Sequence, residues 1–321
     1  MAERPGYFGA IDLGGTKILS LVADAEGNVY GHDKRPTLTA DGLEAVLGRM
    51  TDSLDAAIAA AGLKRGDLAA AGVGSPGAVD VARGIVAGAP QLPGWRDVHL
   101  RDLMEERLGL PVALENDATA AALGEHTFGG GRGSRHMLYL TVSTGIGGGI
   151  IIDGELYLGK SGSAGELGHI ILDPDGPPCP CGTRGHLEAF SSGSAIACRG
   201  RELLSRGEAP VLARLAQAEG AVTAEMVYRA AQEGDEACKR AFQEAGRYLG
   251  IALASFVNIF DPEVILIGGG VAQVGDLLME PARQQMERLA MGRPLRDVRL
   301  GLSELGPLVG ALGMVAVLRD R

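Results

Sequence analysis

Tyr7–Asp24 reads YFGAIDLGGTKILSLVAD, two short apolar runs flanking Gly14-Gly15-Thr16-Lys17, with Asp12 at the lip of the turn. The pattern predicts a strand, a glycine turn and a second strand. Such a turn aims several backbone N–H groups at one point, which suits a phosphate. Asp12 beside it suits Mg²⁺ held through water, since that ion keeps most of its hydration shell. A plain hairpin with an exposed Asp fits the same letters, and the P-loop spacing is absent. About 130 residues later the design returns. Met137–Ser143 is a strand, Thr144-Gly145-Ile146-Gly147-Gly148-Gly149 a turn, and Ile150–Asp153 another strand. No helix follows these glycines, so the dinucleotide fingerprint does not apply. Two hairpins of one design predict two similar domains facing one ligand.

Between and after them strands alternate with helices, the mark of an α/β layered fold. Val29–Arg35 is a third strand, Leu43–Leu63 has helical period, and Ala69–Val73 runs into the sharp turn Gly74-Ser75-Pro76-Gly77. Pro90–Trp95 is a loop, Leu100–Leu108 a helix and Pro111–Glu115 a buried strand. Asn116-Asp117 then opens the alanine-rich helix Ala118–Glu125. Either residue could be the helix N-cap. Alternatively, a carboxylate here stands at the carboxyl end of a strand, where open α/β sheets bind ligands. Gly129–Arg135 is expected to be a mobile surface loop. Helices follow at Ser194–Ser205, Thr223–Gln232 and Asp235–Phe260; Glu263–Ile267 is a strand running into Gly268-Gly269-Gly270, which should open a helix over Val274–Met291. A last strand, Val298–Leu302, and a closing helix, Leu308–Leu318, complete the series. A domain boundary is expected near Leu114–Asn116.

The segment Gly162–Glu188, GSAGELGHIILDPDGPPCPCGTRGHLE, carries a different chemistry. Cys179, Cys181, His169 and His186 are the ligand types a tetrahedral zinc prefers, and two of each complete a closed site. Glu166 and Glu188 bracket the segment, so a metal there would fix both acids. Two incidental thiols in a polar loop are the alternative.

The 321 residues suffice for about two domains. A formal charge of −10 argues against general affinity for nucleic acid. The apolar runs are too short and glycine-broken to span a membrane, and Met1–Gly6 lacks a signal-peptide core. Four cysteines, two spaced as ligands, suggest the cytoplasm rather than a disulfide framework. Cys198 and Cys238 are expected to be buried.

With these residues in view, the chain resembles the ROK family of sugar kinases, most of all its bacterial glucokinases. Asp12-Leu13-Gly14-Gly15-Thr16-Lys17 is similar to the first phosphate motif, Thr144-Gly145-Ile146-Gly147 to the second, and Gly268-Gly269-Gly270 to the adenosine motif. Glu115-Asn116-Asp117-Ala118 is similar to the catalytic motif, and Gly165–His169 with Cys179, Cys181 and Glu188 to the sugar and zinc signature. The resemblance implies an actin-like (ribonuclease H-like) two-domain ATPase fold with a deep interdomain cleft. Residues 1–115 would form the small domain, completed by the helix in 306–321, and 116–305 the large one. It implies ATP and Mg²⁺ as cofactors, a structural Zn²⁺ on His169, Cys179, Cys181 and His186, and a hexose, D-glucose first, phosphorylated at its 6-hydroxyl. Asp117 would be the general base; Gly77, Asn116, Asp117, Glu166, His169 and Glu188 would bind the sugar. An N-acylhexosamine kinase, a fructokinase and a sugar-responsive regulator are the alternatives. A cytoplasmic homo-oligomer, dimer or tetramer, is expected. This chain departs from the family at His186, usually a cysteine, and at Gln91, usually Asn.

Overall fold

The computed structural model describes residues 6–320; the expectation about a signal peptide falls largely on residues 1–5, outside them. In chain order the elements are β1 (Tyr7–Leu13), β2 (Lys17–Ala23), β3 (Val29–Pro36), α1 (Leu43–Ala60), β4 (Leu68–Ser75), β5 (Ala78–Asp80), β6 (Ile85–Gly88), β7 (Arg96–Val98), α2 (Leu100–Leu108), β8 (Val112–Asn116) and α3 (Asp117–Phe128). Then come β9 (Met137–Val142), β10 (Ile146–Ile152), β11 (Glu155–Leu156), α4 (Leu187–Ser191), α5 (Gly193–Ser205), α6 (Pro210–Glu219), α7 (Ala224–Gln232) and α8 (Glu236–Phe260). The series ends with β12 (Val264–Gly268), α9 (Asp276–Leu289), α10 (Gly292–Leu295), β13 (Arg299–Leu302) and α11 (Val309–Arg319).

The duplication read from the two glycine hairpins reappears in the sheets. Their orders are β3-β2-β1-β4-β8 and β11-β10-β9-β12-β13, one arrangement used twice. In the first, β2 and β3 run antiparallel to their neighbours, while β4 and β8 continue β1 in parallel. Both faces of this sheet are covered, which is why ILSLVA is buried without a break and apolar at every position but Ser20. Ile18 and Val22 face the core built with Leu47, Met50 and Leu54 of α1, and Leu100 and Met104 of α2. Leu19, Leu21 and Ala23 face a second core made with Ala120 of α3 and Ala311, Met314 and Val315 of α11.

Contacts divide the chain into two compact units, one holding residues up to Arg135, Gly149–Gly165 and the chain from Ser303, the other His136–Gly148 and Glu166–Leu302. The units do not part at 115/116. Helix α3 packs with the first because its small-residue face interlocks with α11. A Cβ on Gly124 would lie 2.9 Å from the backbone of Gly313 and Val309, and one on Gly313 would strike the Ala120 carbonyl. The helices therefore meet backbone to backbone.

Four local expectations change. The Gly129–Arg135 loop is pinned rather than mobile, with Gly129, Gly130, Gly131 and Ser134 buried. The fully buried Glu125 accepts from Gly130 N at 2.9 Å, Ser303 Oγ at 2.5 Å and Leu305 N at 2.9 Å. The glycines Gly147–Gly149 belong to strand β10, where Gly148 lies against Leu167 and the Tyr139 carbonyl. After Gly270 comes a single 3-10 turn, Val271–Val274, and the α-helix starts only at Asp276. Cys238 is buried, but Cys198 is exposed on α5. Sequence reading also missed α6 and the small sheet β5-β6-β7. No helix among the described residues is long and apolar enough to cross a membrane.

Gly313→Ala should force α3 and α11 apart and cost about 1–3 kcal/mol or more, read as a lower denaturation midpoint. Gly48→Ala is the control: it sits in α1 with open space at its Cβ. It should raise stability by about 0.5–1 kcal/mol.

Candidate functional site

In the first unit the sheet itself brings the chemistry together. Asp12 of β1 pairs in register with Gly74 of β4, and Gly74 with Glu115 of β8, so three carboxyl-terminal strand ends lie level. Asp117 begins α3 immediately beyond β8. The capping question is settled in favour of Asn116, whose Oδ1 accepts from Ala118 N at 3.0 Å and Thr119 N at 3.1 Å. Its Nδ2 donates to the Gly77 carbonyl at 3.1 Å, so the Gly74–Gly77 turn is tied to the same cap. One Asn thus holds both the start of α3 and the turn. Asp117 Oδ1 accepts from Ala118 N at 2.8 Å, which orients its carboxylate.

Asp12 feels Asp117. Burial first, and then the neighbouring Asp117 charge, push the Asp12 carboxyl up to about 7, with Lys17 pulling the other way. Two carboxylates and one ammonium at a strand edge leave a local excess of negative charge, the setting in which Mg²⁺ binds. Beneath Asp12 lies Gly310, on the first turn of α11; a Cβ there would be 2.6 Å from the Asp12 carboxyl carbon. A helix N-terminus favours an anion. Sequence reading missed Gly310, although a closing helix that is apolar yet glycine-bearing at 310 and 313 was the available signal. The Gly14-Gly15-Thr16-Lys17 turn is braced by buried Thr37, whose Oγ1 donates to Gly14 O at 2.6 Å and whose N donates to Thr16 O at 3.0 Å. Gln91 lies against this turn, its Cβ 2.9 Å from where a Gly15 Cβ would be, while Leu92 and Trp95 of the same loop are buried.

In the second unit Thr144 and Gly145 form the turn between β9 and β10, and Gly147 lies within β10. Ser143 O and Thr144 O accept from Gly193 N at 2.7 Å and Ser194 N at 3.2 Å, at the start of α5. Glu188 Oε2 accepts from Ile146 N at 2.8 Å. Gly268, at the end of β12, lies over the Tyr139 hydroxyl, and Gly269 takes a φ of 90° against the Val142 carbonyl.

His169, Cys179, Cys181 and His186 converge: one ligand atom from each lies within 4.8 Å of all the others. His169 Nδ1 is 3.2 Å from His186 Nδ1 and 3.8 Å from Cys179 Sγ, and Cys181 Sγ is 3.3 Å from His186 Nδ1. A tetrahedral zinc with N and S ligands needs ligand–ligand edges of about 3.3–3.8 Å, and these three distances are of that order. Burial pushes the Cys179 thiol up to about 12, against a backbone hydrogen bond from Cys181 that lowers it and with the Cys181 side chain and Glu188 adding to the rise. A hydrogen bond from Thr183 holds Cys181 low instead. A divalent cation would offset the first cost by taking the thiolate. His169 turns its other nitrogen, Nε2, toward Glu166 Oε2 at 3.8 Å. One ring therefore faces the ligand cluster and the neighbouring acid at once.

Asp12→Asn should stabilise the nucleotide-free protein at pH 8. The folded state holds this carboxyl near 7, above its unfolded value near 4, so ionisation is penalised in the fold as pH rises through that window. The gain in melting temperature should shrink as pH falls from 7 toward 4. The same change should weaken Mg²⁺-nucleotide binding, measured by calorimetry.

The ROK family model matches residues 8–321. Glucokinase from Thermotoga maritima is 35% identical over 314 residues, 97% of this chain and 96% of that protein. The crystal structure of a ROK family glucokinase from Streptomyces griseus, in complex with glucose and AMPPNP, superposes with a TM-score of 0.87 at 34% identity, covering 98% of this chain and all of the other. A putative xylose repressor from a Caldicellulosiruptor species is 34% identical over 98% of this chain and 78% of its own length. The fold is accordingly the α/β, actin-like ATPase fold of these proteins, and the chain belongs to the ROK family.

Proposed function

We propose that this protein is an ATP-dependent hexose kinase that phosphorylates D-glucose at its 6-hydroxyl. The observation that carries the reading is the division of labour at the edge of the first sheet. Asn116 caps α3, so Asp117 does not have to, and Asp117 stands beside Asp12 with one carboxylate for a proton and one for a metal-bound phosphate. Phosphoryl transfer needs little else from a protein: positioning, charge neutralisation and an oriented base. Asp117 takes the proton of the 6-hydroxyl as that oxygen bonds to the γ-phosphorus; the bond from phosphorus to the bridging oxygen breaks, ADP leaves with the electron pair, and Asp117 later returns its proton to solvent. Mg²⁺, when bound beside Asp12, neutralises the phosphate oxygens. Amides of the Gly14-Gly15-Thr16-Lys17 and Thr144–Gly147 turns take the phosphates, and Gly268, Gly269 and Gly270 let adenosine approach the backbone.

Gly77, Asn116, Asp117, Glu166, His169 and Glu188 hold the sugar in this reading. Ionised Glu166 and Glu188 only accept hydrogen bonds. They suit a 2-hydroxyl and leave the carbonyl of a 2-acetamido group without a donor, a mismatch of about 1–3 kcal/mol. The xylose-repressor relative keeps a sugar-responsive regulator as the second reading; an intact Asp117 favours catalysis. A structural Zn²⁺ on His169, Cys179, Cys181 and His186 anchors the sugar-binding segment and leaves no open position for chemistry of its own. The protein would work in the cytoplasm as a homo-oligomer, to be checked by sedimentation.

Asp117→Asn should lower kcat on the order of 10²–10⁴-fold with melting temperature and glucose affinity nearly unchanged; retained turnover sinks the assignment. Metal analysis should find one zinc per chain, and Cys181→Ala should lose it together with stability and glucose affinity. Across glucose, N-acetylglucosamine, N-acetylmannosamine and fructose with Mg-ATP, kcat/KM should be highest for glucose. A win by either amino sugar would overturn that choice and point first to Gln91.

A further inference from the structure

The side chain that belongs to two functions at once is Glu188. It lies on the first turn of α4, two residues past the ligand His186, and its two oxygens face different neighbours. Oε1 lies 3.8 Å from Cys179 Sγ, on the side of the Cys–His cluster. Oε2 accepts from the backbone N–H of Ile146 at 2.8 Å, directly under the Thr144–Gly147 turn. The approach is so close that a Cβ on Gly145 would push Oε2 aside. Gly168, one residue before His169, presses on the Ile146 carbonyl in the same way. Amides of Gly193 and Ser194, just past Glu188, hold the carbonyls of Ser143 and Thr144. The turn is thus supported from below by residues of the cluster segment and its flanks, and Glu188 is the support that reaches it with a side chain.

We propose that Glu188 is a positioning residue for the nucleotide: its carboxylate is the strut that sets the Thr144–Gly147 phosphate turn, in addition to any contact with the sugar. The proposal rests on the reading of that turn as a phosphate site. An acceptor on Ile146 N withdraws that N–H from the ligand and fixes the peptide planes on either side. The neighbouring amides are then left to point outward. Because one carboxylate serves the turn with Oε2 and faces the cluster with Oε1, a hydroxyl bound at Oε1 restricts the same group that holds the turn. Sugar and nucleotide affinities should therefore be coupled, and by linkage each must strengthen the other by the same factor.

The test is nucleotide binding without turnover. Calorimetry with Mg-AMPPNP on the full-length protein, in the absence of sugar, compares wild type with Glu188→Gln and Glu188→Ala, each checked for melting temperature and bound metal. Gln keeps an acceptor oxygen for Ile146 N and should change the Kd by less than about threefold. Ala removes the acceptor and should weaken binding about tenfold or more. Saturating glucose should tighten AMPPNP binding in wild type and not in Glu188→Ala. An Ala variant that binds AMPPNP like wild type without sugar overturns the strut and leaves the kinase reading intact. Equal weakening in Gln and Ala also overturns it, since charge rather than an acceptor on Ile146 N would then be responsible. Wild-type protein that binds no AMPPNP at all takes both readings down.

Discussion

Two carboxylates at the carboxyl ends of the parallel strands of one mixed sheet, Asp12 and Asp117, repel each other, and much of the first unit is arranged to keep them there. Register between β1, β4 and β8 brings the strand ends level. Asn116 spends its amide on the helix cap and the Gly77 carbonyl. Lys17 lowers the cost of ionising Asp12, and Gly310 lets the first turn of α11 come against it. Burying like charges side by side raises the affinity of one of them for a proton. A site that holds Asp12 near 7 is therefore strained toward a cation, and binding one relieves the strain.

Much of this was legible in the chain. Strand and helix periods placed most elements within a residue or two, because both sheets are apolar where buried and their turns are marked by glycine. The cluster of His169, Cys179, Cys181 and His186 was legible from ligand type, and folding brings its atoms together. What was not legible depends on partners distant in sequence. Whether Asn116 or Asp117 caps α3 turns on hydrogen-bond geometry that both residue types can adopt. The buried clamp of Glu125 on Gly130, Ser303 and Leu305 reads as an ordinary charged residue at the end of a helix. The loop it pins looked mobile because glycine permits motion without requiring it. Cys198 looked buried because helical period does not by itself say which face turns inward.

The second unit uses the opposite economy. Where the first spreads its polar contacts over several strand ends, the second gathers them on one short segment. His169 faces the cluster with Nδ1 and Glu166 with Nε2. Glu188 faces the cluster with one oxygen and the turn backbone with the other. Two-ended side chains of this kind make the segment intolerant of conservative change. Replacing such a residue disturbs two neighbourhoods even where one of them would accept the substitute.

The contact between α3 and α11 also bears on how the chain is made. Helix α11 comes last among the described elements, yet Ala311, Met314 and Val315 cover the sheet face formed by Ala10, Leu19, Leu21 and Ala23 near the start. Until α11 leaves the ribosome, that face is covered by α3 alone, and the part α11 would cover lies open as an apolar surface. A chain stalled after β13 would carry a finished second unit and an unfinished first. It would be marked for a chaperone or for aggregation rather than for partial activity.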